Sequence, residues 1–323
     1  MKKILLKLAQ LLATFVLLGL VAYQAGLFSA SGQQQFMQLL SGASIGILIV
    51  SIMLGVLVNM VSAFKWYLLI RSRSLGAGYW RVFAYYVVGQ FYNMFLPTSV
   101  GGDVVRSYEL GKFSGRHADA MASVFVERYT GVVVLLLFAA IAVVAQMSRF
   151  GVDYVLISLG LFGLGLLFIG WLVLDQRAYR LVRDWLIARF PFSSKVFAKL
   201  DQLLLAVDAY RTEPAAVCVA LLNSVLFYLV AVVNVLITAW VFDADVSLLH
   251  MLLATPIIMV IMNLPISFGN IGLMEFAYTN VFMLMGYSAE LGLSVALLMR
   301  FKSFFDGAIG GVLHPLFVTQ KHE

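Results

Sequence analysis

The sequence predicts an all-α polytopic membrane protein with about six spanning helices and two shorter re-entrant hairpins. Hydrophobic residues make up 62% of the chain and charged residues 12%, whereas charged residues make up about 25% of a typical soluble domain. A second observation is the motif Leu-Pro-x-Ser-x-Gly, which occurs at residues 96–101 and again at 264–269. Proline and glycine at corresponding places in two apolar segments are typical of membrane helices that are broken at a binding site.

Six apolar segments are long enough to cross a bilayer, which takes about 20 residues. They are residues 4–23, 42–64, 127–147, 153–174, 215–241 and 289–318. The first follows Met1-Lys2-Lys3 and resembles a signal peptide, but its apolar stretch is longer than usual and no small-x-small cleavage site is clear. We therefore expect this segment to stay in the protein as an uncleaved first helix.

Two further apolar segments, 82–96 and 248–264, are shorter, and each ends at a copy of the motif. The first would be about 22 Å long as a helix, against a hydrocarbon core of about 30 Å. Basic residues, which favour the cytoplasmic side, both precede and follow it. We therefore expect residues 82–110 to enter the membrane from the cytoplasm and to return there; an ordinary loop between two full spans is the alternative.

The Lys and Arg residues predict the orientation of the whole chain. Lys2, Lys3 and Lys7 place the N-terminus in the cytoplasm, and the uncharged loop 24–41 then lies outside. With the first hairpin in place, all but four of the 22 Lys and Arg residues lie on the cytoplasmic side, Lys65 among them. The four exceptions are Arg128, Arg149, Arg300 and Lys302. Both termini are predicted to be cytoplasmic.

A second hairpin follows from the same orientation. The chain lies outside at 243–247, so residues 248–287 would enter the membrane from the face opposite to the first hairpin. Two hairpins that enter from opposite faces define an inverted repeat. The chain would then be a single transmembrane domain, 1–323, with repeat halves at about 1–150 and 151–323. The alternative for the second motif copy is again a loop between full spans.

The segment 175–213 alternates apolar and basic residues, as in Leu-Val-Arg-Asp-Trp-Leu at 181–186. Such a cytoplasmic loop is typical of amphipathic helices that lie on the inner leaflet, attracted by anionic lipid. A solvated pair of cytoplasmic helices is the alternative.

The residues after the first motif copy are candidates for binding. Gly101 and Gly102 permit a close approach of the backbone, and the N-terminus of a broken helix attracts anions. Asp103 suits the N-cap of a helix that starts one residue later, and this structural role competes with a role in binding. Arg106 can point toward a phosphate group or pair with Asp103.

The second motif copy is followed by different residues. Glu275 is an ionisable group at membrane depth and therefore a functional candidate; the alternative is a carboxylate that complements the dipole at a helix N-terminus. The aspartate and arginine of the first copy have no equivalent at the same spacings after the second. We therefore expect the two hairpins to be chemically unequal, with the first one contacting any bound headgroup.

Several charged residues lie within predicted spans. Glu127 and Arg128 are adjacent, point to different helix faces and need separate partners. Lys302 and Asp306 are four residues apart, share a helix face and can pair, which leaves Arg300 free to face a cavity. The two span arginines and the arginine of the first hairpin would form a cationic pocket suited to phosphate, because guanidinium binds phosphate bidentately.

The candidate substrate-binding residues lie at the two motif copies and among these charges. They are Pro97, Ser99, Gly101, Gly102, Asp103, Arg106, Glu127, Arg128, Pro265, Ser267, Gly269, Glu275 and Arg300. Two polar residues before the first copy, Gln90 and Asn93, either line the same cavity or bond a neighbouring helix.

Several classes of chemistry lack their sequence signals. The chain has no Gly-x-x-x-x-Gly-Lys-Ser/Thr motif, no Gly-x-Ser-x-Gly elbow and no His or Cys residues at metal-ligand spacing. The net charge of +6 is interpreted as a topology signal rather than a nucleic-acid signal. We therefore expect no catalytic residues, no metal, no cofactor and no nucleic-acid partner. Cys218 is the single cysteine, which excludes an internal disulfide.

Three sequence blocks carry a family resemblance. They are Phe-Leu-Pro-Thr-Ser-Val-Gly-Gly-Asp-Val-Val-Arg at 95–106, Val-Phe-Val-Glu-Arg-Tyr-Thr-Gly at 124–131, and Pro-Ile-Ser-Phe-Gly-Asn-Ile-Gly-Leu-Met-Glu at 265–275. These blocks resemble the lysylphosphatidylglycerol synthase transmembrane region family of flippase-like membrane proteins. The third block departs from the family pattern, since Asn270 replaces a glycine and Met274 stands where an arginine is common.

The resemblance implies a protein of the bacterial inner membrane that moves a lipid with an anionic headgroup, either a phospholipid or a polyprenyl phosphate. Bifunctional relatives carry a separate cytosolic synthase domain, whereas this sequence ends at Glu323, so we expect translocation without aminoacyl transfer. A partner from envelope-lipid synthesis is also expected.

Two alternatives to transport stay open: a non-transporting scaffold for envelope-lipid synthesis, and an intramembrane enzyme, which would need paired carboxylates. Arginines locked in ion pairs would favour the scaffold. A cavity that reaches both motif copies would favour transport.

Overall fold

The computed structural model describes residues 2–95, 101–145, 160, 163, 176–189, 194–264 and 266–317. Helices α1 to α12 are, in chain order, Lys2–Gln24, Ala30–Ser41, Ile45–Ser72, Tyr79–Phe95, Gly101–Ser114, His117–Ala145, Gln176–Arg189, Ser194–Asp208, Pro214–Trp240, Leu248–Met262, Leu273–Leu284 and Ala289–Phe317. Short 3-10 turns lie at Ala209–Thr212 and Phe268–Asn270. The predicted all-α polytopic membrane fold is confirmed.

Three of the described helices, α3, α6 and α9, are long and apolar enough to cross a membrane. Helix α10 and the Leu12–Gln24 part of α1 are shorter apolar helices. Helix α12 is 29 residues long but carries charged side chains in its middle. The predicted span 153–174 lies, except for two residues, outside the part of the chain that the structure describes.

The spans are apolar outside and polar inside. On α3, Ile45, Ile49 and Met53 follow one another at four-residue spacing and are exposed, whereas Ser51 and Asn59 on the opposite face are buried. The exposed stripe is suited to lipid, which cannot hydrogen-bond. The buried polar groups therefore need partners inside the bundle.

Two helices extend further than the charge pattern predicted. Helix α3 continues to Ser72 and so includes Lys65, and α6 begins at His117, well before Glu127. The prediction used charged residues as span boundaries, but these two charges are paired inside the protein. The predicted loop 24–41 is also largely helical, because Ser29 caps α2.

Helices α4 and α5 form an antiparallel hairpin around the first motif copy. The backbone N–H of Gly102 donates to Asn93 Oδ1 at 2.7 Å, and Gly102 lies directly against the Gly89 carbonyl. Helix α4 has 17 residues and is therefore about 25 Å long, short of the bilayer core. The motif residues 96–100 lie outside the described part.

The second motif copy lies between α10 and α11. Gly269 and Asn270 have φ angles of 58° and 59°, and Gly272 has a φ of 82°, so the chain turns through left-handed backbone that favours glycine and asparagine. The Asn270 side chain donates to the Met262 carbonyl at 2.9 Å, which satisfies one of the free carbonyls at the end of α10. The side of the membrane from which each hairpin enters stays a prediction.

The helix packing is symmetric when two units, α3–α6 and α9–α12, are exchanged. Helix α3 packs on α9; α4 packs on α12, and correspondingly α10 packs on α6. Within the units, α4 packs on α5 as α10 does on α11, and α5 packs on α6 as α11 does on α12. An internal repeat requires this pattern. That one unit is inverted in the membrane stays a prediction.

The segment 175–213 contains helices α7 and α8. Arg183 on α7 lies 3.3 Å from Asp201 on α8, and α8 packs on α6. Leu181 and Trp185 on α7 are exposed and share a helix face. The segment is thus a helix pair that joins the bundle, and α7 keeps an apolar face suited to a membrane surface.

Candidate functional site

Five charged residues from three helices form one cluster, named here the charge cluster. It consists of Lys65 on α3, Asp103 and Arg106 on α5, and Glu127 and Arg128 on α6. Asp103 lies inside the first turn of α5, so its predicted N-cap position is wrong. Its carboxylate instead accepts two hydrogen bonds from Arg128, at 2.7 Å from Nε and 2.8 Å from Nη2.

Arg106 lies at the centre of the charge cluster and is 2% exposed. Its Nε donates to Asp103 at 2.9 Å and its Nη2 to Glu127 at 2.5 Å. The guanidinium also lies over the rings of Trp66 and Tyr86, 4.6 and 4.9 Å from their centroids. The predicted pairing with Asp103 is present, and the Nη1 atom is buried with no hydrogen-bond partner among the described residues.

Lys65 was not predicted as a site residue. Its Nζ lies 3.4 Å from Glu127 and donates to Ser224 at 3.2 Å, whereas the charge pattern placed it in a cytoplasmic loop. The signal for burial is that Asn59, Ser62 and Lys65 follow one another at three-residue spacing and form a polar face on an apolar helix.

Glu127 and Arg128 have separate partners, as predicted: Glu127 binds Lys65 and Arg106, and Arg128 binds Asp103. Three cations and two carboxylates give the cluster a formal charge of +1. The cluster is therefore internally paired and still one positive charge in excess.

A second ion pair joins the other hairpin to α12. Arg300 donates from Nη2 to Glu275 at 2.8 Å and to the Asn270 carbonyl at 2.9 Å, and from Nε to Glu275. Glu275 also accepts from the Gly272 N–H at 2.8 Å, so it caps α11 in the way that the structural alternative predicted. The prediction that Arg300 is left unpaired to face a cavity is wrong.

The two hairpins are more alike than the motif spacing indicated. In each, a carboxylate in the first turn of the return helix binds an arginine 25 residues further along, Asp103 with Arg128 and Glu275 with Arg300. No equivalent stands at the same spacing from the second motif copy, as the sequence shows, but Glu275 lies four residues further along and takes the place of Asp103. Arg106 remains particular to the first unit, since Tyr278 occupies the corresponding position.

A double-mutant cycle can test the Glu275–Arg300 pair. We expect Glu275→Gln and Arg300→Gln to show a coupling free energy of about 1.5–3 kcal/mol, because both side chains are mostly buried. The matched cycle on the exposed pair Arg183–Asp184 should show a much smaller coupling, because solvent screens exposed ion pairs. The measurement is unfolding of the purified protein in mixed micelles; equal coupling in both cycles would contradict the assignment.

Lys302 and Asp306 do not pair in the predicted way. Lys302 Nζ donates to Ser51 at 2.9 Å, Asn234 at 2.6 Å and Thr238 at 2.8 Å. Asp306 accepts from the Asn59 side chain at 2.8 Å. Among the described ion pairs none joins Lys302 to Asp306, because neutral side chains from α3 and α9 reach each group first.

A cavity of about 710 Å³ lies between the two units, within the size range of small-molecule sites. Asn93 and Asp103 line it beside the first motif copy, and Asn263 and Asn270 line it beside the second. Arg128 also lines it, with 48% of its side chain exposed. The cavity therefore reaches both broken helices.

The remaining predicted site residues have varied positions. Gly101 opens α5, Gly269 lies in the left-handed turn, and Ser267 is buried with no hydrogen-bond partner for its hydroxyl among the described residues. Gln90 and Asn93 both line the cavity, and Asn93 also bonds the neighbouring helix α5 through Gly102, so both interpretations hold for Asn93. Three predicted residues lie outside the described part of the chain: Pro97, Ser99 and Pro265.

These features define an α-helical polytopic membrane protein with a cavity of mixed polar and apolar lining at two helix breaks. The described residues contain no group of three or more His, Cys, Asp or Glu placed to hold a metal ion. The sequence model of the lysylphosphatidylglycerol synthase TM region family matches residues 8–310, so the chain belongs to this family. No curated protein and no solved structure matches the chain.

Proposed function

We propose that the protein is a flippase-like transporter that moves a lipid with an anionic headgroup across the bacterial inner membrane. The observation that carries this proposal is Arg128, a cavity-exposed arginine at a site that reaches both broken helices. The lipid would be the binding partner, and both termini would be cytoplasmic. The proposal includes no catalytic step.

The charge of the site favours an anion. Arg128 uses Nε and Nη2 to bind Asp103, and nearly half of its side chain still faces the cavity. The charge cluster behind it has one positive charge in excess, in surroundings that screen charge less than water does. A phosphodiester headgroup would neutralise this excess and accept hydrogen bonds from the guanidinium.

The asparagines along the cavity favour movement of a headgroup over static binding. A polar headgroup needs polar contacts along its whole path through the apolar core, and Asn93, Asn234, Asn263 and Asn270 line the cavity between the two breaks. Because the chain lacks a nucleotide-binding motif, transport would use a gradient or equilibrate the two leaflets.

A scaffold for envelope-lipid synthesis is the second candidate. It is favoured by the pairing of Arg106 and Arg300, both of which are held by carboxylates. Such pairs can fix helices without contacting a ligand. In this alternative a partner enzyme of lipid synthesis would dock on the bundle, and the cavity would take no part in transport.

Arg128→Ala should weaken binding of an anionic lipid and slow its movement. Charge-assisted hydrogen bonds contribute about 1.5–3 kcal/mol, so we expect the affinity for the lipid to fall about 10- to 100-fold. Asp103 keeps Arg106 as a partner in this variant, so the bundle should still fold. The measurement is the exposure of labelled phosphatidylglycerol in proteoliposomes, read from quenching by a membrane-impermeant reductant.

The matched control is Arg183→Ala, which removes an arginine from α7, outside the cavity. It should keep the wild-type rate. Arg128→Lys should give an intermediate rate, because lysine keeps the positive charge but cannot donate two parallel hydrogen bonds as a guanidinium does. If the wild-type protein does not change the exposure of labelled phosphatidylglycerol under any gradient, transport is refuted and the scaffold is favoured. A wild-type rate for Arg128→Ala would refute the proposed binding site.

A further inference from the structure

The ammonium group of Lys302 is buried among uncharged oxygens. Three neutral side chains, Ser51, Asn234 and Thr238, each accept one hydrogen bond from Nζ at 2.6–2.9 Å, and the lysine is 3% exposed. The three donors of an ammonium are thus fully used. Because no carboxylate holds Nζ among the described ion pairs, the lysine can lose its proton without breaking an ion pair.

The helices around Lys302 bring few other charges to it. Helix α3 contributes Ser51 and Asn59, α9 contributes Asn234 and Thr238, and α2 carries no charged residue. The carboxylate of Asp306 lines the same side cavity as Lys302. The two side chains lie near each other, since both border Gly55. A Cβ at that position would lie 3.5 Å from Lys302 Cε and 3.9 Å from Asp306 Oδ2.

The other titratable groups near α12 have partners elsewhere. On α11, Glu275 binds Arg300. On α4, Tyr92 bonds His314 near the end of α12 at 2.8 Å. Glu290, Lys302 and Asp306 are the charged groups of α12 that have no ion pair among the described residues, and Glu290 lies in the first turn of α12, twelve residues before Lys302.

A side cavity lies between this site and the proposed headgroup site. It measures about 140 Å³ and is lined by Lys302 and Asp306. It shares Asn59, Gln90 and Asn234 with the main cavity. The space is large enough for a few water molecules with polar partners, and its lining places it next to the main cavity.

We propose that Lys302 binds and releases the proton that accompanies an anionic headgroup, so that one proton and one monoanion cross the membrane together. The proposal rests on the proposed function and names the ion coupled to it. Water in the side cavity would deliver the proton to the lysine amine on one side of the membrane. The lysine would return it to water when the cavity opens to the other side.

Charge compensation explains why the two species would travel together. With Lys302 as a neutral amine, the Asp306 carboxylate offsets the single excess positive charge of the charge cluster. Protonation of Lys302 restores that excess, which an entering monoanion then neutralises. Anion binding therefore favours the protonated lysine, and protonated lysine favours anion binding, as linkage requires.

Calorimetry on the purified full chain can count the protons. Short-chain phosphatidylglycerol is titrated into detergent-solubilised protein near neutral pH, in two buffers that differ in heat of ionisation. We expect wild-type protein to take up protons when it binds the lipid, with a limit of one proton for each lipid bound. Lys302→Met should bind the lipid with proton uptake close to zero, and the control Phe301→Leu, which changes an exposed neighbour, should behave as wild type.

The outcomes separate the two proposals. Lipid binding with equal proton uptake by wild type and Lys302→Met refutes the role of Lys302. The absence of binding by wild type refutes the proposed function and this inference with it. Asp306→Asn is the second variant: it keeps the hydrogen bond with Asn59, removes the compensating charge, and should also reduce proton uptake, so the test does not depend on the folding of one variant.

Proteoliposomes give an independent readout. Coupled movement of one proton and one monoanion is electroneutral, so a difference of one pH unit should shift the leaflet distribution of labelled phosphatidylglycerol about tenfold. A membrane potential imposed with potassium and valinomycin should leave the distribution unchanged. A distribution that follows the potential and ignores the pH difference would contradict the proposal.

Discussion

Glu127→Ala is expected to destabilise the protein by about 3–5 kcal/mol, because it removes one partner from a buried set of ion pairs. Glu127 is 4% exposed and binds both Arg106 and Lys65. Without it, Lys65 keeps a single neutral acceptor, Ser224, and Arg106 keeps only Asp103 as a carboxylate partner. The measurement is the free energy of unfolding in mixed micelles.

The double variant Glu127→Met with Lys65→Met supplies the sharper comparison. It removes one cation together with the carboxylate, and should recover part of the lost stability because two buried charges disappear. The surface control Asp184→Ala breaks an exposed pair and should cost less than about 1 kcal/mol. A loss for Glu127→Ala no larger than that of the control would mean that the cluster does not hold α3, α5 and α6 together.

Gly102→Ala is expected to separate the α4–α5 hairpin. A Cβ at this position would lie 2.0 Å from the backbone oxygen of Gly89 and 2.7 Å from its carbonyl carbon. Backbone atoms cannot rotate away as a flexible side chain does, so the helices must move apart, at a cost of about 1–3 kcal/mol or more. The shift should also break the bond from Gly102 to Asn93 and loosen the cavity beside Arg128.

Gly46→Ala is the matched control, since a Cβ there meets nothing within 4 Å. Alanine favours a helix by about 0.5–1 kcal/mol over glycine, so this variant should be as stable as wild type or more so. Hydrogen exchange of α4 and α5 reports the local effect. Unchanged protection in Gly102→Ala would show that the two helices are not in close contact.

The fold class was predictable because the bilayer imposes a simple rule. A chain with 62% hydrophobic residues can satisfy its backbone in lipid by forming helices, and Pro or Gly at the two motif copies then indicates where helices break. Four residues of the charge cluster, Asp103 and Arg106 on α5 and Glu127 and Arg128 on α6, were also found in sequence, since charges at membrane depth are costly and seldom accidental.

The partners of those charges were harder to predict. Hydropathy treats a charge as a boundary, so Lys65 was assigned to a loop although the helix continues past it. The position of Arg300 depends on Glu275, 25 residues earlier and on another helix. Spacing rules for one helix do not predict contacts between helices. Lys302 was paired with its neighbour on the same helix, whereas three side chains from α3 and α9 reach it.

The crossed packing of the helices has a consequence for how the chain can be divided. Helix α4 packs on α12, and α10 packs on α6, so each hairpin rests on a long helix from the other unit. Neither unit carries a complete interior of its own. The two units therefore share one interior and are not separate domains. If the chain were cut within 190–193, the two fragments would have to associate before either could bury its polar faces.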